Sequence, residues 1–457
     1  MANWTNDVIW WHVYPLGFVG AEHQLADVTG EQGPQALADA PVAHRLPALH
    51  GWLDYLLSLG CNGLALAPVF ASESHGYDTV DFYRVDPRLG DEDDLVALID
   101  ACHAKGIKVL LDGVFNHVGR GHHAFQEVLR EGPGAGTASW FHLTWPGGPD
   151  AWHPGTVPDY ATFEGHGQLV ALDHGAPAVA DYVADVMTYW LDRGADGWRL
   201  DAAYAVDPDF WSRVLPRVRE RHPDAYIVGE VIHGDYADVV RRSGMDAVTQ
   251  YELWKATWSS LNDANLWELD HALGRHNGFL EAFVPYTFVG NHDVTRIASR
   301  LTDPRHVGHA IAVLFTLGGT PAVYYGDEQG YRGVKEERFG GDDQIRPLFP
   351  SRPEELSDLG ADVLRSHREL IGVRRRHRWL HHARTTRTHL DNTSLTYDVS
   401  GSLDGESGRL SVALNIADEP RRLPVSPVRE VLAGVGHIEG EDGTAVVLQP
   451  HTWAVLR

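Results

Sequence analysis

The chain has 457 residues, 43% hydrophobic and 22% charged, which suits a globular protein with one large domain and a satellite and excludes an extended disordered chain. With 38 Lys and Arg against 63 Asp and Glu, its formal net charge is −25, which argues against a nucleic-acid partner and leaves room for a neutral or cationic small molecule. No run reaches membrane-spanning length, the opening MANWTNDVIWWHVYP carries no leader pattern, and Cys61 and Cys102 lie in apolar surroundings as reduced core thiols, so a cytoplasmic protein without a membrane partner is expected.

Eight short apolar runs punctuate the chain, at 8–15, 63–70, 107–115, 196–202, 225–231, 245–252, 283–291 and 320–328. Between them lie segments of helical period. DEDDLVALIDACHAKG opens on acids, carries apolar residues at 95, 98, 99 and 102, and closes on Lys-Gly; PAVADYVADVMTYWLDRG repeats that design. Near-continuous apolar strands alternating with helices predict a parallel sheet covered on both faces, and eight such units predict a (β/α)8 barrel with its active site at the C-terminal strand ends. The stretch from Asn116 to about Ala176 is too long for one connection and is rich in Gly, Pro, Trp and His. We therefore expect a barrel over 1–117 and 176–375, a small domain inserted at 118–175 after the third strand, and a C-terminal antiparallel β-sandwich over 376–457, where SLTYDV, RLSVALNI and AVVLQPHTWAVLR follow without helices. The inserted stretch holds Trp140, Phe141, Trp145, Trp152, Tyr160 and Phe163, which singly read as local packing and together suit a carbohydrate site.

In the fourth run, DGWRLDAAY, Arg199 and Asp201 share one face while Trp198 and Leu200 share the other. A structural ion pair is one reading. The other is that Asp201 belongs to a polar rim, because Asp112 ends the third run, Glu230 ends the fifth and Asp293 follows the seventh. Acids converging beside an arginine acquire diverging proton affinities, as acid/base chemistry at neutral pH requires. The 27 histidines are scattered and show no paired Cys/His spacing, so no metal cluster is expected from them.

DGVFNH (112–117), GWRLDAAY (197–204), VGEV (228–231) and FVGNHD (288–293) resemble, in order, the four signature segments of the alpha-amylase family, glycoside hydrolase family 13. HGYDTVDFYRVDPRLG and GTPAVYYGDEQG are similar to its second- and eighth-strand segments. The resemblance implies a retaining α-glucoside hydrolase with Asp201 as nucleophile, Glu230 as general acid/base and Asp293 stabilising the transition state. It further implies Tyr77, His117, His292, Arg199, Asp342 and Arg346 as substrate-binding or orienting residues, with Asp112 in support. The branch it resembles is that of cyclomaltodextrinases and neopullulanases without their N-terminal domain; compact members of the type of cyclic maltosyl-maltose hydrolases fit this length. Where many members carry Lys-His or Asn-Glu, this chain has Tyr204 and Ala205, which leaves the leaving-group side open. No cofactor is required; a structural calcium near Asn116 stays open, since the histidine expected after the nucleophile is absent. The expected substrate is a short or cyclic α-1,4-linked maltooligosaccharide, with a cyclic substrate mixing α-1,4 and α-1,6 bonds admitted and a homodimer admitted as the assembly. A transglycosylase or isomerase on the same site is the alternative, and a non-catalytic binding barrel a third reading.

Overall fold

The eight apolar runs become eight parallel strands in a computed structural model that describes residues 3–29, 37, 40–338 and 340–457. They are β1 (Trp10–Val13), β2 (Gly63–Leu66), β3 (Lys108–Gly113), β4 (Gly197–Leu200), β5 (Tyr226–Gly229), β6 (Ala247–Val248), β7 (Tyr286–Phe288) and β8 (Thr320–Tyr324). Their hydrogen-bonded order is β6-β5-β4-β3-β2-β1-β8-β7, and a parallel bridge between Thr249 and Tyr286 closes the ring. The principal helices around it are α1 (Leu53–Leu59), α2 (Glu92–Ala104), α3 (Pro177–Asp192), α4 (Pro208–Arg221), α5 (Tyr236–Ser243), α6 (Tyr251–Asn262), α7 (Leu266–Phe279), α8 (Val307–Thr316) and α9 (Ala361–Arg376). Helix α2 starts as its sequence dictates: Asp91 accepts the Asp94 backbone N–H, and the Asp94 carboxylate accepts that of Asp91, a reciprocal cap.

Strand register fixes the heights of the acids. Arg199 pairs across with Asp112 on β3 and Val228 on β5, and Leu200 with Gly113 and Gly229. The next residues, Asp201 and Glu230, therefore emerge at one level, pinned by Asp201 N–H to Gly113 O at 3.0 Å and Glu230 N–H to Leu200 O at 2.9 Å. Below them Trp198 turns outward, fully buried between Phe70 and Phe115, with its indole N–H donated to the Met187 carbonyl of α3. The outward apolar face and inward polar face of β4 are one consequence of its period of two.

Three segments differ from the expectation. The run at 245–252 yields only the two-residue β6, because Gln250 caps α6 through the Leu253 N–H and Tyr251 already begins that helix. Phe70–Ser72 and Thr79–Val85 form an unanticipated hairpin after β2. The stretch after β3 contains a helix, His123–Glu131, that its four apolar residues barely signal, and two small ribbons, His117–Gly119 with Leu169–Ala171 and Leu143–Thr144 with Asp159–Tyr160.

Beyond α9 the chain is antiparallel sheet. β9 (Arg384–Leu390), β10 (Ser394–Leu403), β11 (Glu406–Asn415), β12 (Arg421–Pro424), β13 (Val431–Gly434), β14 (His437–Glu439), β15 (Ala445–Leu448) and β16 (Thr452–Leu456) form a five-stranded sheet, β9-β10-β11-β16-β13, and a three-stranded one, β12-β15-β14. Leu395, Tyr397, Val399 and Val455 belong to the same apolar core as the barrel helices.

Candidate active site

At the C-terminal ends of β3, β4, β5 and β7 the four expected acids surround the guanidinium of Arg199. Its Nη1 reaches both oxygens of Asp112, at 2.8 and 2.7 Å, and Asp201 Oδ1 at 3.2 Å. Its Nη2 lies 3.0 Å from Glu230 Oε1 and 3.9 Å from Asp293 Oδ2. Glu230 is held twice more, by the Ala202 N–H on Oε2 at 3.0 Å and the Tyr251 hydroxyl on Oε1 at 3.0 Å, and Asn291 Nδ2 in turn donates to Tyr251. Ala202 takes a left-handed backbone, φ 45° and ψ 35°, which turns its N–H toward Glu230 straight after Asp201.

Each predicted residue has a definite place. Arg346 donates from Nη2 to Asp293 Oδ1 at 3.0 Å and from Nε to the His292 carbonyl, and pairs with Asp342 at 2.9 Å. Tyr77 donates to Asp112 Oδ2 at 3.2 Å, touches His292 Nε2 through its hydroxyl, and stacks on the His292 ring at 5.3 Å. His292 Nε2 also lies 2.9 Å from Asp293 Oδ2, while the ring is wholly buried. His117 already uses both nitrogens, Nε2 with the Tyr77 carbonyl and Nδ1 with the Asn116 amide, and its ring stacks on Phe163 at 4.7 Å. A cavity of about 340 Å³ opens onto Tyr77, His117, Asp201, Glu230 and Asp293, with Phe163 and Tyr204 also in its lining. Asp342 and Arg346 lie instead on an adjoining cavity of about 670 Å³, with Lys335 on both.

Of the inserted aromatics, Phe163 lines the acid-bearing cavity, whereas Phe141 and Tyr160 pack on Phe125 and Trp140 packs on Tyr182. Sequence reasoning missed Tyr251, Asn291 and Glu164, whose carboxylate accepts the Tyr204 hydroxyl at 2.9 Å. Tyr251 sits in an apolar run whose pattern predicts a strand, and only the helix start reveals its direction.

The electrostatics separate the acids. Burial, opposed by Arg199 and reinforced by Glu230, Asp112 and Asp293, pushes the Asp201 carboxyl well above the ordinary carboxylate range. Burial also acts on Asp293, but His292, Arg346 and Arg199 overcome it and hold that carboxyl well below the range. Burial lowers His117 to about 4, so its imidazole is neutral at pH 7. The Asn116 side-chain nitrogen is committed to His117, the Asn116 backbone carbonyl accepts the Leu172 N–H, and the adjacent Phe115 carbonyl is met by His174.

Residues 46–357 match the family model described as the alpha amylase catalytic domain. The chain belongs to the alpha-amylase family. It is accordingly a glycoside hydrolase of that family, with the barrel and C-terminal sheet of its architecture. It is 30% identical over 436 residues to a cyclomaltodextrinase of Geobacillus thermopakistaniensis, covering 93% of this chain and 71% of that one. It is 32% identical over 390 residues to a maltogenic alpha-amylase of Bacillus acidopullulyticus, covering 81% of this chain and 63% of the relative, so about a third of that relative lies outside the match. Among solved structures, cyclic α-maltosyl-(1→6)-maltose hydrolase of Arthrobacter globiformis superimposes with a TM-score of 0.80 at 26% identity, over 100% of this chain and 99% of the other. The debranching enzyme of Nostoc punctiforme gives 0.81 at 25% identity over the same shares.

Proposed function

We propose that this alpha-amylase family member hydrolyses α-1,4 bonds in short or cyclic maltooligosaccharides through a covalent glycosyl-enzyme, with net retention. The observation that carries the reading is that Asp201 and Glu230, at one height on adjacent strands, are held by the same guanidinium on the wall of a single cavity. Retention uses two carboxyl groups about 5–5.5 Å apart, one to attack and one to protonate. An Asp201 oxygen attacks the anomeric carbon as the bond to the leaving oxygen breaks, and Glu230 delivers its proton to that oxygen. Water then attacks the same carbon, Glu230 takes a proton from it, and Asp201 leaves as carboxylate. Burial and the charges of Glu230, Asp112 and Asp293 raise the Asp201 carboxyl against the pull of Arg199. Asp293, kept anionic by His292, Arg346 and Arg199, faces the positive charge that develops on the sugar ring. Arg199 orients Asp201 and Glu230, with Asp112 holding the arginine in turn.

The substrate class is supported by the relatives' names, cyclomaltodextrinase among curated proteins and cyclic α-maltosyl-(1→6)-maltose hydrolase among structures that this chain spans end to end. A ring containing both α-1,4 and α-1,6 bonds is therefore within the class. Likeness to the intracellular maltogenic amylase of Bacillus subtilis, at 29% identity, supports a cytoplasmic site of action, and no helix among the described residues is long and apolar enough to cross a membrane. The test is a panel of maltotriose, isomaltose, small cyclic glucans and soluble starch compared by kcat/KM. A cyclic or short α-1,4 substrate leading supports the reading; isomaltose or starch leading by an order of magnitude overturns the substrate class.

A further inference from the structure

At the opposite end of the barrel from the acids, a pocket of about 210 Å³ is lined by Asn6, Asp7, Arg374, Arg375, Arg378 and His381 beside the first residues leading into β1. Its charge is unusual for a chain of net −25. Arg374, only 6% exposed, meets no carboxylate among the described residues: Nη1 donates to the Phe315 and Leu317 carbonyls at 3.1 and 2.7 Å, and Nη2 to that of Gly319. Arg375 likewise ends on the carbonyls of Gly60 and Asp7 and the side-chain oxygen of Asn62. Both arginines thus cap carbonyl ends, Arg374 that of α8 and Arg375 that of α1, and a helix terminus supplies only about half a negative charge. Arg378 grips the Asp7 carboxylate from Nε at 2.5 Å and Nη2 at 2.8 Å, and lies 3.4 Å from Asp404. Its Nη1 makes no hydrogen bond among the described residues.

The fourth wall is His381, 3% exposed, whose Nε2 is buried without a hydrogen-bond partner. A buried imidazole nitrogen left without a partner is destabilising unless something fills the gap. Arg374 and Arg375, neither of them in an ion pair among the described residues, Arg378 with one amino group clear of its bond to Asp7, and the Nε2 of His381 around one small pocket make a built receptor for an oxyanion.

We propose that this pocket at the N-terminal end of the barrel binds a phosphate group, as inorganic phosphate or as a small phosphomonoester, and that the bound group clamps α9 to the start of β1. Arg378 Nη1 and His381 Nε2 supply donors to it, while the fields of Arg374 and Arg375 select for double negative charge. The site is remote from Asp201 and Glu230, so its occupancy acts on stability rather than on the chemical step.

The experiment measures thermal unfolding of the full-length protein in rising inorganic phosphate, and separately in glucose 6-phosphate, against sodium chloride of equal ionic strength. The expected result is a saturable rise in Tm of about 2–5 °C with phosphate and none with chloride. Arg378→Gln and His381→Gln, each checked for folding by circular dichroism, are expected to lose that rise while keeping wild-type maltotriose turnover. A larger rise with glucose 6-phosphate than with phosphate assigns the phosphomonoester; equal rises assign the free anion. A wild-type response no larger than that to chloride, or an undiminished rise in both variants, overturns the proposal.

Discussion

Four carboxyl groups around Arg199 answer why a buried strand should carry an arginine and an aspartate two positions apart: the strand delivers one cation to the centre of an acidic ring. Glu230→Gln keeps one of the two oxygens that accept from Ala202 and Tyr251 and removes the transferable proton, so kcat on maltotriose should fall about 10²–10⁴-fold. An aryl glucoside with a good leaving group needs no such proton in the first step and should fall less; equal losses on both would remove Glu230 from the acid role. The Asp112→Asn variant tests the coupling. Asp112 raises Asp201 through its charge and also shares Arg199 with it, so neutralising it lowers the Asp201 pKa on both counts. Activity requires ionised Asp201 and is lost as pH falls through its pKa, so the acid limb of the kcat/KM profile should move to lower pH. An unmoved or raised limb would contradict the assignment of Asp201.

At the scale of elements, the register of β4 against β5 carries the site, and Gly197 permits it. A Cβ there would stand 2.1 Å from the Tyr226 backbone oxygen, which cannot yield without breaking the ladder. Gly197→Ala should therefore destabilise the fold by about 1–3 kcal/mol and lower activity with it, as read by denaturant titration beside kcat. The barrel was legible because each buried strand is a short apolar run bounded by Gly, Pro or Asp, and because α2 and α3 announce their starts and ends. The same signal failed at 245–252, where TQYE is both the end of an apolar run and the cap of α6; periodicity over eight residues does not separate the two. Asp201, Glu230 and Asp293 could be singled out from their positions just past strands, a one-dimensional cue. Tyr251, Asn291 and the Glu164–Tyr204 contact could not, since they depend on where α6 and the long post-β3 segment fold back over the rim.

Over the whole molecule, barrel and C-terminal sheet share one core. Tyr397 is wholly buried with its hydroxyl 3.2 Å from Thr316 of α8, and His309 Nε2 lies within reach of the Asn415 and Thr452 carbonyls. Unfolding should accordingly be a single transition, coincident by far-UV circular dichroism and tryptophan fluorescence; two separated midpoints would contradict a common core. That rigid assembly holds the acids in place for the central claim, that Asp201 attacks the anomeric carbon and water later displaces it from the opposite face, the one the leaving group vacated. The most direct measurement is proton NMR of the first product formed from maltotriose or a small cyclic glucan, taken before mutarotation. The α-anomer appearing first is the predicted result, and the β-anomer appearing first would contradict it.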